Sequence, residues 1–354
     1  MACTSPMYRI PFFSKSFQRL HASDQARLKN HGVILSAGAL SAYQDTLVDD
    51  EVQVIPCGQC ASCRLNYSRD WAVRCSLEAE LHEHNYFITL TYDDIHVPRE
   101  TCIDYEGVIH ETTLRRRDIQ LFIKRLREHE RTVHSNTNIK VFYCGEYGEN
   151  RSQRPHFHLC VFGVSPIEDL VFKYQKGDYK FYKSVTYENF WCGEDGNLIG
   201  FVDISSCSFD TIAYTARYIM KKQKGKSKKD FLEYYQTLGD DAPPLRADVF
   251  VGMSRRPGIA AAYYEKHKDQ IYSEDLVRYY KKYDVFRSKP PRYFDKLFER
   301  DDEVSYRKLR NRRTVAGRLA RKQRYKLCSE PELARLKREN DMLEGRLKKY
   351  VRCL

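Results

Sequence analysis

Residues 154–163, RPHFHLCVFG, set His156 and His158 one residue apart in an otherwise apolar run. In a strand, positions i and i+2 face the same way, so both imidazoles share one side while Phe157 and Leu159 can bury on the other. Paired imidazoles suit a divalent metal, whose shell then needs an oxygen or nitrogen from a neighbouring strand. Glu146 in CGEYG is the first candidate and Glu149 the second. A second group, AYTARYIMKK, supplies Tyr214 and Tyr218 at i and i+4, with Lys221 and Lys222 one turn further. On a helix both phenols lie on one face. Each piece also has an ordinary reading, as a polar strand pair or a packed tyrosine face. Together they are the parts needed for transesterification of a phosphodiester. A phenol, with a reference pKa of about 10, is a poor nucleophile when neutral. A divalent cation can polarise the non-bridging oxygens, and a lysine can hold the phosphate or ease proton transfer. The products would be a phosphotyrosine and a free 3′-hydroxyl.

A third group is PCGQCASCR, with Cys57, Cys60 and Cys63 at C-x2-C-x2-C spacing and Cys75 as a candidate fourth ligand. That density suits a structural, tetrahedral Zn2+; the alternative is three thiols packed under a turn. The chain holds 12 cysteines over 354 residues. It opens on MACTSPMYRIPFFSK, with no apolar leader, so reduced thiols and a cytoplasmic setting are expected. No apolar run approaches the roughly 18 residues that span a bilayer, and no membrane partner is expected.

The elements that must position these groups follow from periodicity. NYSRDWAVRCSLEAELHEH (66–84) reads as a helix, with Trp71, Cys75 and Leu77 among its candidate buried positions. Tyr86 to Tyr92 reads as a strand. The next segment reads as a helix with Thr112 or Thr113 as N-cap, grouping Leu114, Ile119, Phe122, Ile123 and Leu126. IKVFYCGEYG and PHFHLCVFG, joined by the polar ENRSQR, predict a hairpin. A helix is expected from Asp210 as N-cap into a lysine-rich segment broken at Gly225, and further helices around 229–238 and 258–282. Residues 1–50 show no clear period. The order strand, helix, strand, strand, helix predicts an α+β domain: an antiparallel β-sheet with flanking helices, covered on one side.

The charge is unevenly placed. Residues 305–354 hold 17 Lys/Arg against 5 Asp/Glu, which is the whole net charge of +12, while residues 1–304 hold 43 of each. A basic segment of this kind commonly neutralises phosphates, and Arg154, Lys222, Arg312 and Arg313 are the candidate DNA contacts. After the basic stretch, Ser329 and Glu332 fit a capping box. Leu333, Leu336, Asn340, Leu343, Leu347 and Tyr350 then form a seam of about two and a half heptads. The seam could serve self-association or pack on the chain's own body.

These motifs resemble the HUH endonuclease superfamily of rolling-circle replication initiators. HFH is its His-hydrophobic-His pair, and Tyr218 to Lys221 is its YxxK motif. The extra Tyr214 looks like the two-tyrosine branch. TLTYDD, CGEYG, RPHFH and PCGQCASCR together resemble the initiators of Microviridae, in particular the gokushovirus group, over about residues 56–223. The resemblance implies a ferredoxin-like HUH nuclease sheet facing a tyrosine-bearing helix, and Mg2+ or Mn2+ held by His156, His158 and Glu146. It also implies nicking of single-stranded or supercoiled origin DNA in the cytoplasm of a bacterial host. One tyrosine keeps the 5′ phosphate, and the displaced strand is cut by the other and rejoined. Spacing makes Tyr218 the first nucleophile, with Tyr214 and Lys221 beside it. The expected organisation is an N-terminal segment 1–55, an HUH core 56–225 including the Cys-rich motif, a mainly helical accessory region 226–304 and a basic helical tail 305–354.

GKS at 225–227 lacks the earlier glycine of a phosphate-binding loop, Met220 standing there. Strand separation and extension would therefore fall to a host helicase and polymerase. A hydrolase or cupin metal centre is disfavoured, because no Asp or Glu follows HFH closely. A non-enzymatic, basic-zipper-like DNA-binding protein is the remaining alternative, although CSEP interrupts the continuous helix that such proteins use.

Overall fold

The computed structural model describes residues 3–26, 32–36, 39–40, 42–43, 52–104, 107–148, 154–221, 247–281, 284–326 and 332–350. In chain order the elements are β1 (Met7–Pro11), α1 (Lys15–Gln18), α2 (Ala22–Gln25), β2 (Gly32–Ser36), β3 (Gln53–Ile55), α3 (Ala61–Ala79), β4 (Asn85–Tyr92), β5 (Arg99–Asp104), β6 (Gly107–Thr112), α4 (Arg116–Val133), β7 (Lys140–Tyr147) and β8 (Pro155–Phe162). There follow β9 (Val171–Lys176), β10 (Tyr179–Lys183), α5 (Val185–Glu188), β11 (Gly200–Ser206), α6 (Phe209–Lys221), β12 (Phe250–Met253), α7 (Ala261–Glu274), β13 (Val277–Lys281), β14 (Asp284–Ser288), α8 (Arg292–Asp301), α9 (Glu303–Lys326) and α10 (Glu332–Tyr350). The chain divides into two compact units, Met1–Tyr67 with Arg307–Leu354, and Ser68–Tyr306.

In the first unit a three-stranded antiparallel sheet, ordered β2-β1-β3, buries Tyr8, Ile10, Val33 and Leu35. Ile10, Val33 and Leu35 join Phe17, Leu20 and Tyr43 in a small apolar core. The tail helix α10 packs within this unit. Leu336 is buried, Asn340 Oδ1 accepts from Thr4 Oγ1 at 2.8 Å, and Glu344 pairs with Arg64 at 2.8 Å. The heptad seam thus meets the chain's own residues. The Ser329 cap lies outside the described residues.

The second unit is built on a seven-stranded antiparallel sheet, ordered β12-β7-β8-β4-β11-β10-β9. On one face Phe157, Leu159 and Val161 of β8 pack with Ile88 and Leu90 of β4 and with Ile119, Phe122, Ile123 and Leu126 of α4. Those four helix positions follow the i, i+3, i+4, i+7 spacing of an apolar helix stripe. On the other face Cys160, Phe162, Phe142 and Phe87 pack with Trp71 and Leu77 of α3, Ile212 and Ala216 of α6, and Tyr264 of α7. The sheet is therefore covered on both sides rather than one, because β8 carries apolar residues at both alternations.

Local signals shift at three places. Thr113 does not cap α4: Arg115 holds that position, and Thr113 Oγ1 accepts from the Ala247 amide at 3.0 Å. Asp210 lies in the first turn of α6, and the capping is reciprocal between its neighbours. The Thr211 amide donates to Ser208 Oγ at 3.3 Å, and the Ser208 amide to Thr211 Oγ1 at 2.9 Å. The helix expected over 258–282 ends at Glu274. Asp275 takes φ +56, and β13–β14 form a hairpin with Val277 and Tyr279 buried. The helix expected at 229–238 lies outside the described residues. No helix among the described residues is long and apolar enough to cross a membrane.

Phe157 is 0% exposed and meets the rings of Tyr92, Trp191 and Phe250. Phe157→Ala is expected to lower the unfolding free energy by about 3–5 kcal/mol. Phe201→Ala, at a side chain 56% exposed, should change it by less than about 0.5 kcal/mol. Urea titration of the two variants checks the contrast.

Candidate active site

The register of the β7–β8 hairpin pairs Glu146 with His156 and Cys144 with His158. Directly opposed residues share a face, so Glu146, His156 and His158 all point to the side that carries α6. Glu146 Oε1 lies 2.9 Å from His156 Nε2 and 3.1 Å from His158 Nε2. One ligand atom from each of the three falls within 4.8 Å of the others. From α6, the Tyr214 hydroxyl donates to the same Glu146 Oε1 at 3.3 Å, and its ring lies edge-on to His158 with centroids 5.0 Å apart. Phe87 stacks against His158. Helix α6 is held to this face by Ile212 and Ala216 and by Thr215 Oγ1, 3.6 Å from Cys160 Sγ on β8.

The imidazoles are oriented from behind. His156 Nδ1 lies 3.0 Å from the Arg154 carbonyl oxygen, which can only accept, so Nδ1 carries the proton. The neutral ring then turns its Nε2 lone pair toward Glu146 Oε1. Two acceptors at 2.9 Å require a cation between them, either a proton on the ring or a metal. On β4, Thr89 Oγ1 lies 3.1 Å from His158 Nδ1 and can accept from it in the same manner. Metal-ligating histidines characteristically donate their other N–H to a carbonyl or hydroxyl in this way. Glu146 is 2% exposed. Burial alone would raise its carboxyl, but bonds from His156 and His158 outweigh that and hold it well below the usual carboxylate range. An ionised buried carboxylate with two imidazoles is a donor set that fits a divalent cation.

The other expected residues are placed as follows. Tyr218 and Lys221 belong to α6 beyond Tyr214, with side chains outside the described residues; Lys222 and Glu149 lie outside them altogether. Arg154 is not free to meet phosphate: its guanidinium pairs with Asp94. On α9, Arg312 is exposed and Arg313 half-buried. Cys57, Cys60 and Cys63 come together, but their fourth thiol is Cys3. Cys75 instead lies in the core of the sheet domain with Cys160, because its position on α3 faces inward there. Sequence reasoning missed Cys3 and Thr89. Thr89 carried one usable signal, the alternation of TLTY, but its use required knowing that β4 neighbours β8.

A family model for replication-associated proteins of the ORF2 type matches residues 85–223. The chain is 32% identical to the replication-associated protein ORF4 of Chlamydia phage 1 over 200 residues, which is 53% of this chain and 45% of that protein. It is 28% identical to the replication-associated protein VP4 of Bdellovibrio phage phiMH2K over 225 residues, 63% of this chain and 61% of that one. No solved structure matches it. The replication-associated protein ORF2 of Spiroplasma virus 4 is 31% identical over 368 residues, 100% of this chain and 98% of that protein. An alignment of that extent, with the family model lying across β4, β7, β8 and α6, makes this chain a member of the ORF2 family of phage replication-associated proteins.

Proposed function

We propose that this protein initiates rolling-circle replication of phage DNA by nicking a single-stranded or supercoiled origin through tyrosine transesterification, and later rejoins the displaced strand. The observation that carries the reading is the convergence of Glu146, His156, His158 and the Tyr214 hydroxyl on one polar spot of an otherwise apolar sheet face. Mg2+ or Mn2+, held by the Glu146 carboxylate and the two Nε2 atoms, would polarise a non-bridging phosphate oxygen and offset developing charge. Tyr214 Oη attacks phosphorus, the bond to the 3′ oxygen breaks, and the phenolic proton ends on that leaving oxygen. One ester replaces another, so no nucleoside triphosphate is consumed.

Spacing alone favours Tyr218 for the first attack. What supports Tyr214 instead is its 3.3 Å bond to Glu146 Oε1, which orients the hydroxyl before substrate arrives. Tyr218, with Lys221, then serves the second cut. Strand separation and extension are left to a host helicase and polymerase, in the cytoplasm of the host.

With supercoiled origin DNA and Mg2+ or Mn2+, the protein should form an SDS-resistant covalent adduct that EDTA abolishes. Tyr214→Phe is expected to reduce the adduct at least about 1000-fold, since it removes the nucleophile. Tyr218→Phe should still make the first adduct but release no closed unit-length strand. An undiminished adduct in Tyr214→Phe would move the first attack to Tyr218. Metal-independent binding with no adduct would favour the basic-zipper-like alternative.

The exposed cations of α9 are the proposed backbone contacts. Replacing Lys308, Arg310 and Arg312, all exposed, by Gln should weaken single-stranded DNA binding. The slope of log K against log salt should become shallower by about 0.7 for each phosphate that is no longer neutralised. An unchanged slope would take α9 out of the DNA path.

A further inference from the structure

Cys57 opens a turn in which Gly58 takes φ +75, a backbone that glycine adopts at little cost. The turn directs amides at sulfur: those of Gln59 and Cys60 donate to Cys57 Sγ at 3.4 and 3.2 Å, and the Cys57 amide donates to Cys3 Sγ at 3.4 Å. Such donors favour thiolate over thiol. Cys60 stands at the start of α3, where its carbonyl accepts from the Arg64 amide at 3.0 Å, and Cys63 follows one turn later. All four sulfurs lie within 4.8 Å of one another, and none is in a disulfide.

The spacing separates the alternatives. Cys3 Sγ and Cys60 Sγ are 3.7 Å apart. A disulfide would bring them to about 2.05 Å. A tetrahedral zinc with Zn–S bonds of about 2.3 Å separates its sulfurs by about 3.8 Å. We propose that Cys3, Cys57, Cys60 and Cys63 hold one Zn2+ in a closed tetrathiolate site, distinct from the cation site of Glu146, His156 and His158. Four protein ligands leave no position for substrate, so the role is structural. The unit that contains the site has only six residues in its apolar core, Ile10, Phe17, Leu20, Val33, Leu35 and Tyr43, and cores of that size commonly need a metal or disulfide staple. The same site sets α10. Thr4, next to Cys3, donates to Asn340, and Arg64, next to Cys63, pairs with Glu344.

The test uses the full-length protein purified with thiols protected. Elemental analysis should find one zinc per chain, falling to none in Cys57→Ser/Cys60→Ser and staying at one in Glu146→Gln. Cobalt exchanged into the wild-type protein should show the sulfur-to-metal charge-transfer bands of a tetrahedral tetrathiolate. In Cys3→Ser these should weaken in step with the missing thiolate, while Cys75→Ser keeps the wild-type spectrum. Wild-type protein that is free of zinc, or holds iron in its place, overturns the proposal without depending on any variant's folding. A cobalt spectrum unaltered in Cys3→Ser, or weakened in Cys75→Ser, overturns the assignment of the fourth ligand.

Discussion

A carboxylate 2% exposed between two imidazole nitrogens is the electrostatic constraint around which the sheet domain is arranged. An ionised group removed from water is costly unless positive charge or strong hydrogen bonds compensate it. Here the compensation can come only from what β8 and α6 present to Glu146: two ring nitrogens and a phenol. Each of those groups is itself held in place. The Arg154 carbonyl fixes one ring, Thr89 fixes the other, and Phe87 stacks on His158. Three adjacent strands, β7, β8 and β4, thus each contribute to one centre, and a slip of one residue in either pairing would turn Glu146 or Thr89 to the opposite face.

Burial on the opposite face keeps that register in place. Gly145 sits opposite Phe157, where a Cβ would come within 2.9 Å of the Phe250 ring and 3.1 Å of Phe157. A glycine there lets both rings close over β7, so the strand lies flat enough for the next residue, Glu146, to meet His156. The CGE run therefore joins a packing requirement to a chemical one. The apolar side of β8 supplies rigidity, and the polar positions on its other side use it.

Local periodicity was enough to reveal the β7–β8 hairpin, the shared face of His156 and His158, and Glu146 across from them, because all three depend on residues fewer than 15 positions apart. Tyr214 was legible as half of a helical tyrosine pair. Its approach to Glu146 depends on α6 crossing a sheet whose strand order no local pattern encodes. Cys3 was invisible for the same reason: 54 residues separate it from Cys57, and Cys75 stood closer in sequence. The β13–β14 hairpin was hidden by a tyrosine-rich run with helix formers on both sides. Its period-2 burial, Val277 and Tyr279 inward, is short enough to be lost in that context.

A single cluster and two phenols raise a geometric problem within the proposed reaction. Tyr214 and Tyr218 are four residues apart on one helix, and at 1.5 Å per residue their backbones differ by about 6 Å along its axis. The two hydroxyls cannot present themselves to one cation from the same place at the same time. The fixed part of α6 favours the first of them. Its start is capped by Ser208 and Thr211, Asp210 pairs with Lys281 at 3.0 Å, and Thr215 touches Cys160. Tyr214 falls inside that clamped stretch, so its hydroxyl is positioned by packing before any DNA is present. Attack by Tyr218 requires the DNA or the helix to move relative to the cluster by roughly one turn, which would separate the two cuts in time. Ordered use of two nucleophiles at one centre then follows from where the helix is fastened, with no second metal site needed for the rejoining step.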